Sequence, residues 1–263
     1  MSPIPRLVGM VHLLPLPGSP RFTGSIGQVI SAAQEDALAL TAAGFPALMV
    51  ENFGDTPFHA GTVPAVTIAA MTVAVKAVVE ATGAIVGVNV LRNDAGSALA
   101  IAAATGASMI RVNVLIGMMY TDQGPIVGDA ALVARARAAL CPQVEVWADV
   151  MVKHATPPPG ADPAQIAHDI VARGLADAVI VSGSGTGSAP DPGQAKTIAG
   201  AVPKGTRVVV GSGASTSNLA DIVEMADTVI VGSSVKVDGD ANNRVDPGRA
   251  RAFFEVAARL GLV

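Results

Sequence analysis

The chain has 263 residues, of which 51% are hydrophobic and 14% charged, with a formal net charge of −4 at pH 7 and a mean hydropathy of +0.51. A domain of this length hides roughly 75% of its unfolded surface, so one core spanning residues 1–263 is expected, and the lack of a Lys/Arg cluster excludes nucleic acid as a partner. The single cysteine, Cys141, excludes an internal disulfide and a cysteine-based zinc cage, and reads as a helix-end residue rather than a nucleophile.

The first expected strand, 7–13, carries Met10 and His12 on one face and runs into Leu14-Pro15-Leu16-Pro17-Gly18. A dinucleotide-binding open sheet would need a glycine-rich turn at that point. Helix 28–43 stops at Gly44, strand 47–51 closes on Glu51 and Asn52, and helix 64–82 stops at Gly83. Segment 64–79 is the most apolar stretch, but it contains threonine and Lys76 and reads as a buried helix, not an integral membrane segment. Strand 85–91 bears Asn89 and is followed by Asn93 and Asp94, then by helix 95–105 and Gly106. Strand 109–114 bears Arg111 and Asn113, with helix 129–140 after it. Strand 144–150 bears Trp147 and Asp149 and leads through Lys153-His154 to helix 163–173 and Gly174. Strands 178–182, 207–211 and 228–232 alternate with helices 192–201, 217–225 and 247–260.

Asp162-Pro163, Asp191-Pro192 and Asp246-Pro247 each set a capping carboxylate before a first-turn proline, and Ser217 is expected to cap its helix. Gly44, Gly83, Gly106 and Gly174 stand where a left-handed cap needs no Cβ. Strict alternation of strand and helix requires parallel strands, and eight units in this length predict a single-domain α/β fold, the closed (β/α)8 TIM barrel. A doubly wound open sheet is the alternative. Met1 to Arg6 shows no charged-then-apolar leader, so the expected location is cytoplasmic.

Polar residues in apolar strands are costly unless paired, and here they gather at the C-terminal ends, the catalytic rim of such barrels. Side chains two apart share a face, so His12, Glu51, Arg111 with Asn113, and Asp149 are expected to point inward. Glu51 and Asp149 read as general acid and base, with Asp55, His12 and His154 in support. Arg111 needs an anion, whether Asp149, Glu145 or a substrate group, and a purely structural ion pair is the alternative. Lys153 is either a Schiff-base amine or a solvated lysine. Asn89, Asn93, Arg111, Asn113 and Ser182 read as substrate-orienting residues. His12, Glu51, Asp149 and His154 could together hold a divalent metal, although no fixed-spacing motif supports this, so the cofactor stays open.

The last three strand ends read Ser182-Gly183-Ser184-Gly185-Thr186-Gly187, Gly211-Ser212-Gly213 and Gly232-Ser233-Ser234. Glycine lets amide groups approach an anion closely, and barrels often hold phosphate after strands seven and eight. Gly185, Gly211, Gly213, Gly232 and Ser233 are therefore expected to bind phosphate, against the alternative of simple tight turns. No nucleotide P-loop is present.

The runs Gly9-Met10-Val11-His12-Leu13-Leu14-Pro15-Leu16-Pro17-Gly18-Ser19-Pro20, Glu51-Asn52-Phe53-Gly54-Asp55-Thr56-Pro57-Phe58, Asn89-Val90-Leu91-Arg92-Asn93-Asp94 and Asp149-Val150-Met151-Val152-Lys153-His154 resemble the BtpA/SgcQ family. The likeness runs nearly end to end. It implies a barrel fold and a label from photosystem I biogenesis, but no reaction. The second-strand carboxylate followed by Asp55, with the Gly-Ser turns, is also similar to tryptophan synthase α-type phosphate-binding barrels, as fold analogy only. The expectation is an enzyme acting on a small phosphorylated metabolite, a sugar or nucleoside phosphate, by lyase, isomerase or hydrolase chemistry. A noncatalytic assembly factor is the rival, and a homo-oligomer is possible.

Overall fold

The computed structural model describes residues 5–183, 185 and 191–263. Eight parallel strands close into a barrel: β1 (Leu7–His12), β2 (Ala47–Glu51), β3 (Ile85–Asn89), β4 (Met109–Val112), β7 (Glu145–Asp149), β9 (Ala178–Val181), β10 (Arg207–Gly211) and β11 (Thr228–Val231), with β11 pairing back onto β1. Closure removes the open-sheet alternative. Each barrel strand is followed by a helix of the outer ring: α1 (Ile26–Ala43), α2 (Ala65–Thr82), α3 (Ala95–Thr105), α4 (Ala130–Leu140), α5 (Pro163–Ala172), α6 (Pro192–Ala201), α7 (Leu219–Val223) and α8 (Pro247–Arg259).

The alternation along each strand divides the core into two layers. Val8, Met10, Met49, Met109, Trp147 and Ile180 are among the side chains filling the barrel, while the residues alternating with them, such as Leu7, Val11, Leu48 and Val50, pack against the helices. Gly87 lies inside, where a Cβ would come within 2.6 Å of Met109 Cγ; its hydrogen side chain makes room for the methionines. The barrel floor is closed by Trp147, which donates its Nε1 hydrogen to Glu145 Oε2 at 2.7 Å, and by Arg207, whose Nη1 is 2.8 Å from the same oxygen.

Cap chemistry sets most of the boundaries. Asp162, Asp191 and Asp246 accept hydrogen bonds from first-turn amides of α5, α6 and α8. Ser25 and Gln28 form a reciprocal capping box, so α1 starts two residues before the expected position. Two expectations are corrected. Ser217 does not cap α7, whose N-cap position is Asn218; the Ser217 hydroxyl is 2.9 Å from that of Ser215 instead. The left-handed residue after α5 is Leu175, φ 59, not Gly174, which is a glycine because a Cβ would sit 2.5 Å from the Ile170 carbonyl.

α2 is long and apolar enough to cross a membrane by length and composition. In this fold it lies between α1 and α3, with one face, including Ala70, Met71, Ala74 and Val78, buried. The rim carries a feature not expected from the sequence. Strands β5 (Met118–Thr121), β6 (Gly124–Val127) and β8 (Ala155–Thr156) form a small antiparallel sheet above the mouth, built on Val114, Met119, Ile126 and Val152.

Candidate active site

Register explains why distant residues meet. His12 pairs with Glu51, Glu51 with Asn89, and Asn89 with Arg111 across four adjacent strands. All four occupy inward positions, so one row of the sheet places an imidazole, a carboxyl, an amide and a guanidinium on a common level at the top of the barrel.

Arg111 extends past its own level to the carboxylate of Asp149, two residues higher on β7. Nε and Nη2 donate to Oδ2 and Oδ1 at 2.9 and 2.8 Å. Asn113 Nδ2 donates to Oδ2 at 3.2 Å and the Ser182 hydroxyl lies 2.8 Å from Oδ1. Burial opposes the Arg111 charge, but the attraction and hydrogen bonds of Asp149 outweigh it and raise its pKa. Gly211 packs against the layer below: a Cβ there would be 2.7 Å from Ile180 Cγ2, while Arg111 Cζ, at 3.9 Å, would be in ordinary contact. Removing one partner of such a buried pair costs about 3–5 kcal/mol. The sequence expectation of an acid/base Asp149 thus meets a carboxylate whose oxygens are already engaged, and the geometry gives it the task of aiming Arg111. Glu145, the other partner considered for Arg111, serves the barrel floor instead.

His12 is the more open group. Its Nδ1 is 2.9 Å from the Ala241 carbonyl, so that nitrogen carries the hydrogen, and the ring stacks on Phe53 with centroids 4.4 Å apart. Nε2 faces Glu51 Oε1 at 3.9 Å, beyond hydrogen-bonding reach. Burial, followed by the charge of Lys236, lowers the His12 pKa to about 3, so the ring is neutral despite the nearby carboxyl. It presents a lone pair at Nε2 toward the cavity.

A void of about 370 Å³, counting its open mouth, is lined by His12, Glu51, Arg111 and Lys153 together with Gly211, Ser212, Gly213, Gly232 and Ser233. The glycines after β10 and β11 therefore share one cavity with the row of ionisable groups. Gly213 has φ 75, a backbone state that glycine adopts without strain, and the Ser234 hydroxyl donates to the Ala214 carbonyl at 2.7 Å, tying the two turns together. A second void, about 720 Å³ on the same measure, adjoins through Glu51, Arg111 and Lys153, and extends under Arg92, Asp122 and His154.

Other expected residues have different places. Asp55 accepts the Leu16 amide at 2.8 Å and Asn52 Nδ2 at 3.1 Å, pinning the proline-rich turn after β1. Asn93 exchanges both of its amide hydrogen bonds with the backbone of Val114. Asn89 reaches Asn113 at 3.4 Å, and its own Oδ1 is buried without a partner. Gly185 is half-buried, and the rest of its turn, with Ser184, Thr186 and Gly187, lies outside the described residues. Among the described residues no group of three or more His, Cys, Asp or Glu side chains is placed to hold a metal, so His12, Glu51, Asp149 and His154 do not form the cluster considered from sequence. Arg92 and Lys236 were missed as individuals. The only signal was a lone cation in a rim segment, since neither follows a spacing rule.

A family model described as the BtpA family matches residues 5–259. The chain belongs to the BtpA family. It is 46% identical over 252 residues to the photosystem I biogenesis protein BtpA of Synechocystis, covering 96% of this chain and 88% of that one. An uncharacterized protein of Thermococcus kodakarensis is 47% identical over 257 residues, covering 97% and 95%. Among solved structures, this BtpA-family barrel is similar to phosphoribosyl anthranilate isomerase from Thermus thermophilus, with TM-score 0.58, 17% identity and coverage of 97% and 99%. It is also similar to orotidine 5'-phosphate decarboxylase from Pyrococcus horikoshii, with TM-score 0.60, 15% identity and coverage of 96% and 99%. At such identities these likenesses carry the fold alone.

Proposed function

We propose that this BtpA-family chain is an enzyme that binds a small phosphorylated metabolite at the barrel mouth and performs acid/base chemistry on it, as a lyase, isomerase or hydrolase. The observation that carries this reading is the single cavity shared by His12, Glu51 and Arg111 with the turns Gly211–Gly213 and Gly232–Ser233. The amides of the two turns hold the phosphate. Arg111, aimed by Asp149, orients the adjoining polar atoms of the substrate. Glu51 moves the proton, while neutral His12, whose pKa of about 3 makes it a weak base, accepts a hydrogen bond from the substrate at Nε2.

The solved barrels of similar fold include enzymes named for phosphorylated compounds, which supports the phosphate assignment by analogy. The Synechocystis relative is named for photosystem I biogenesis, whereas a relative 29% identical comes from Caenorhabditis elegans, an animal without photosystems. That distribution favours a chemistry shared across the family over an assembly role.

The test is a 31P NMR screen of sugar phosphates and nucleoside phosphates with the full chain. At least one compound is converted, and Glu51→Gln slows that conversion by about 100-fold or more, the usual contribution of a positioned acid or base. No conversion of any compound, or a biological activity that survives both Glu51→Ala and Asp149→Ala, gives the noncatalytic reading instead.

A further inference from the structure

Two arginines enter the mouth from neighbouring strand ends, and among the described residues only one has a counter-ion. Arg111 is matched by Asp149. Arg92 is 4% exposed, gives Nη2 to the Lys153 carbonyl, and has no hydrogen-bond partner at Nε. Among the described residues no carboxylate lies within ion-pair distance of it. A buried guanidinium without an anion is an expensive arrangement unless something completes it. Burial accordingly lowers the Arg92 pKa, while Asp149, Glu51 and Asp122 oppose this from farther away.

Lys153 repeats the pattern. It is half-buried, its amine has no ion-pair partner among the described residues, and burial followed by the charge of Arg111 lowers its pKa. Both cations face the second compartment, whose remaining wall includes Phe53, Phe58 and Leu91 as well as Asp122. Glu51 and Asp122 also line this compartment, but among the described residues neither forms an ion pair with Arg92 or Lys153. The planar guanidinium edge suits a carboxylate, and among the described residues no glycine lines this compartment to offer the amide cradle that a phosphate would use.

We infer that the compartment under Arg92 is a second anion subsite, and that the substrate carries a carboxylate at the end remote from its phosphate. This rests on the phosphate assignment above. The ligand class is thus a phosphorylated acid, lying with its phosphate on the Gly213 and Ser233 turns, its carboxylate on Arg92 and Lys153, and its middle beside His12 and Glu51.

Calorimetric titration of the full chain with inorganic phosphate and two matched pairs tests it: 6-phosphogluconate against glucitol 6-phosphate, and 3-phosphoglycerate against glycerol 3-phosphate. Each pair differs only in a carboxylate against a hydroxymethyl group, and the pairs sample a long and a short span. In at least one pair the acid binds about tenfold more tightly or better, as a charge-assisted contact requires, and Arg92→Met brings that ratio to within about twofold. Equal binding of acid and alcohol in both pairs, with inorganic phosphate still bound, overturns the carboxylate subsite alone. Failure of inorganic phosphate to bind overturns the phosphate cradle and this inference with it. The wild-type ratio needs no substitution, so it remains decisive if Arg92→Met folds poorly. Lys153→Met then serves as the second variant, and a preference that survives it and Arg92→Met unchanged also overturns the inference.

Discussion

His12 is fixed from two sides, by the Ala241 carbonyl at Nδ1 and by the Phe53 ring on its face. With a pKa of about 3 against the ordinary 6.5, the folded chain keeps the ring neutral while the unfolded chain protonates it. The stability this contributes is fully present above pH 6.5. It is lost as the pH falls toward 3, by up to about 1.4 kcal/mol per pH unit. Urea unfolding of wild type and His12→Gln between pH 7 and 4 measures the difference, and the variant loses stability less steeply by about one proton. Parallel curves would reject the neutral ring. The identity and inward direction of His12 were legible in the sequence, because parity along a strand is local. Its protonation state was not, because Lys236 and Ala241 reach it from more than 220 residues away in the chain.

Elements were legible where the signal was local and repeated. The Asp-Pro pairs opening α5, α6 and α8 and the apolar periodicity of the barrel strands marked them to within a residue or two. The rim sheet escaped because each strand is four residues or fewer and β6 contains Gly124-Pro125, a pair that reads as a turn. Its geometry depends on Gly128, where the chain leaves β6: the Gly128 amide donates to the Gly117 carbonyl at 2.9 Å, and a Cβ would lie 2.4 Å from Ile116 N. Gly128→Ala is expected to destabilise the hairpin by on the order of 2 kcal/mol. Limited proteolysis is the measure: cleavage within 117–128 accelerates before the barrel melts. Unchanged cleavage would mean that the hairpin absorbs the methyl group without moving.

At the scale of the whole molecule, barrel closure joins the two ends of the chain, and a buried charge cluster marks the joint. Asp36 on α1 accepts Lys236 Nζ at 3.2 Å, Arg244 Nε at 2.9 Å and the Val245 amide at 2.9 Å. Lys236 is fully buried. The segment it anchors between β11 and α8 also carries Ala241, the partner of His12, so this cluster supports the loop that holds His12 as well as the fold. Asp36→Ala strands a buried lysine and is expected to cost about 3–5 kcal/mol in chemical unfolding. A loss below about 1 kcal/mol would show that water reaches Lys236 in its place.

By itself the sequence determined the number of barrel strands and of their outer helices, their order, and which face of each barrel strand points inward, because two-residue and 3.6-residue periodicities and helix caps depend only on neighbours along the chain. Closure and the sideways stagger of the strands decided the rest. They commit Asp149 to Arg111, leave Arg92 without a counter-ion among the described residues, and bring the glycine turns after β10 and β11 beside His12 and Glu51. Those relations depend on register and side-chain reach between strands remote in sequence, which no local pattern encodes.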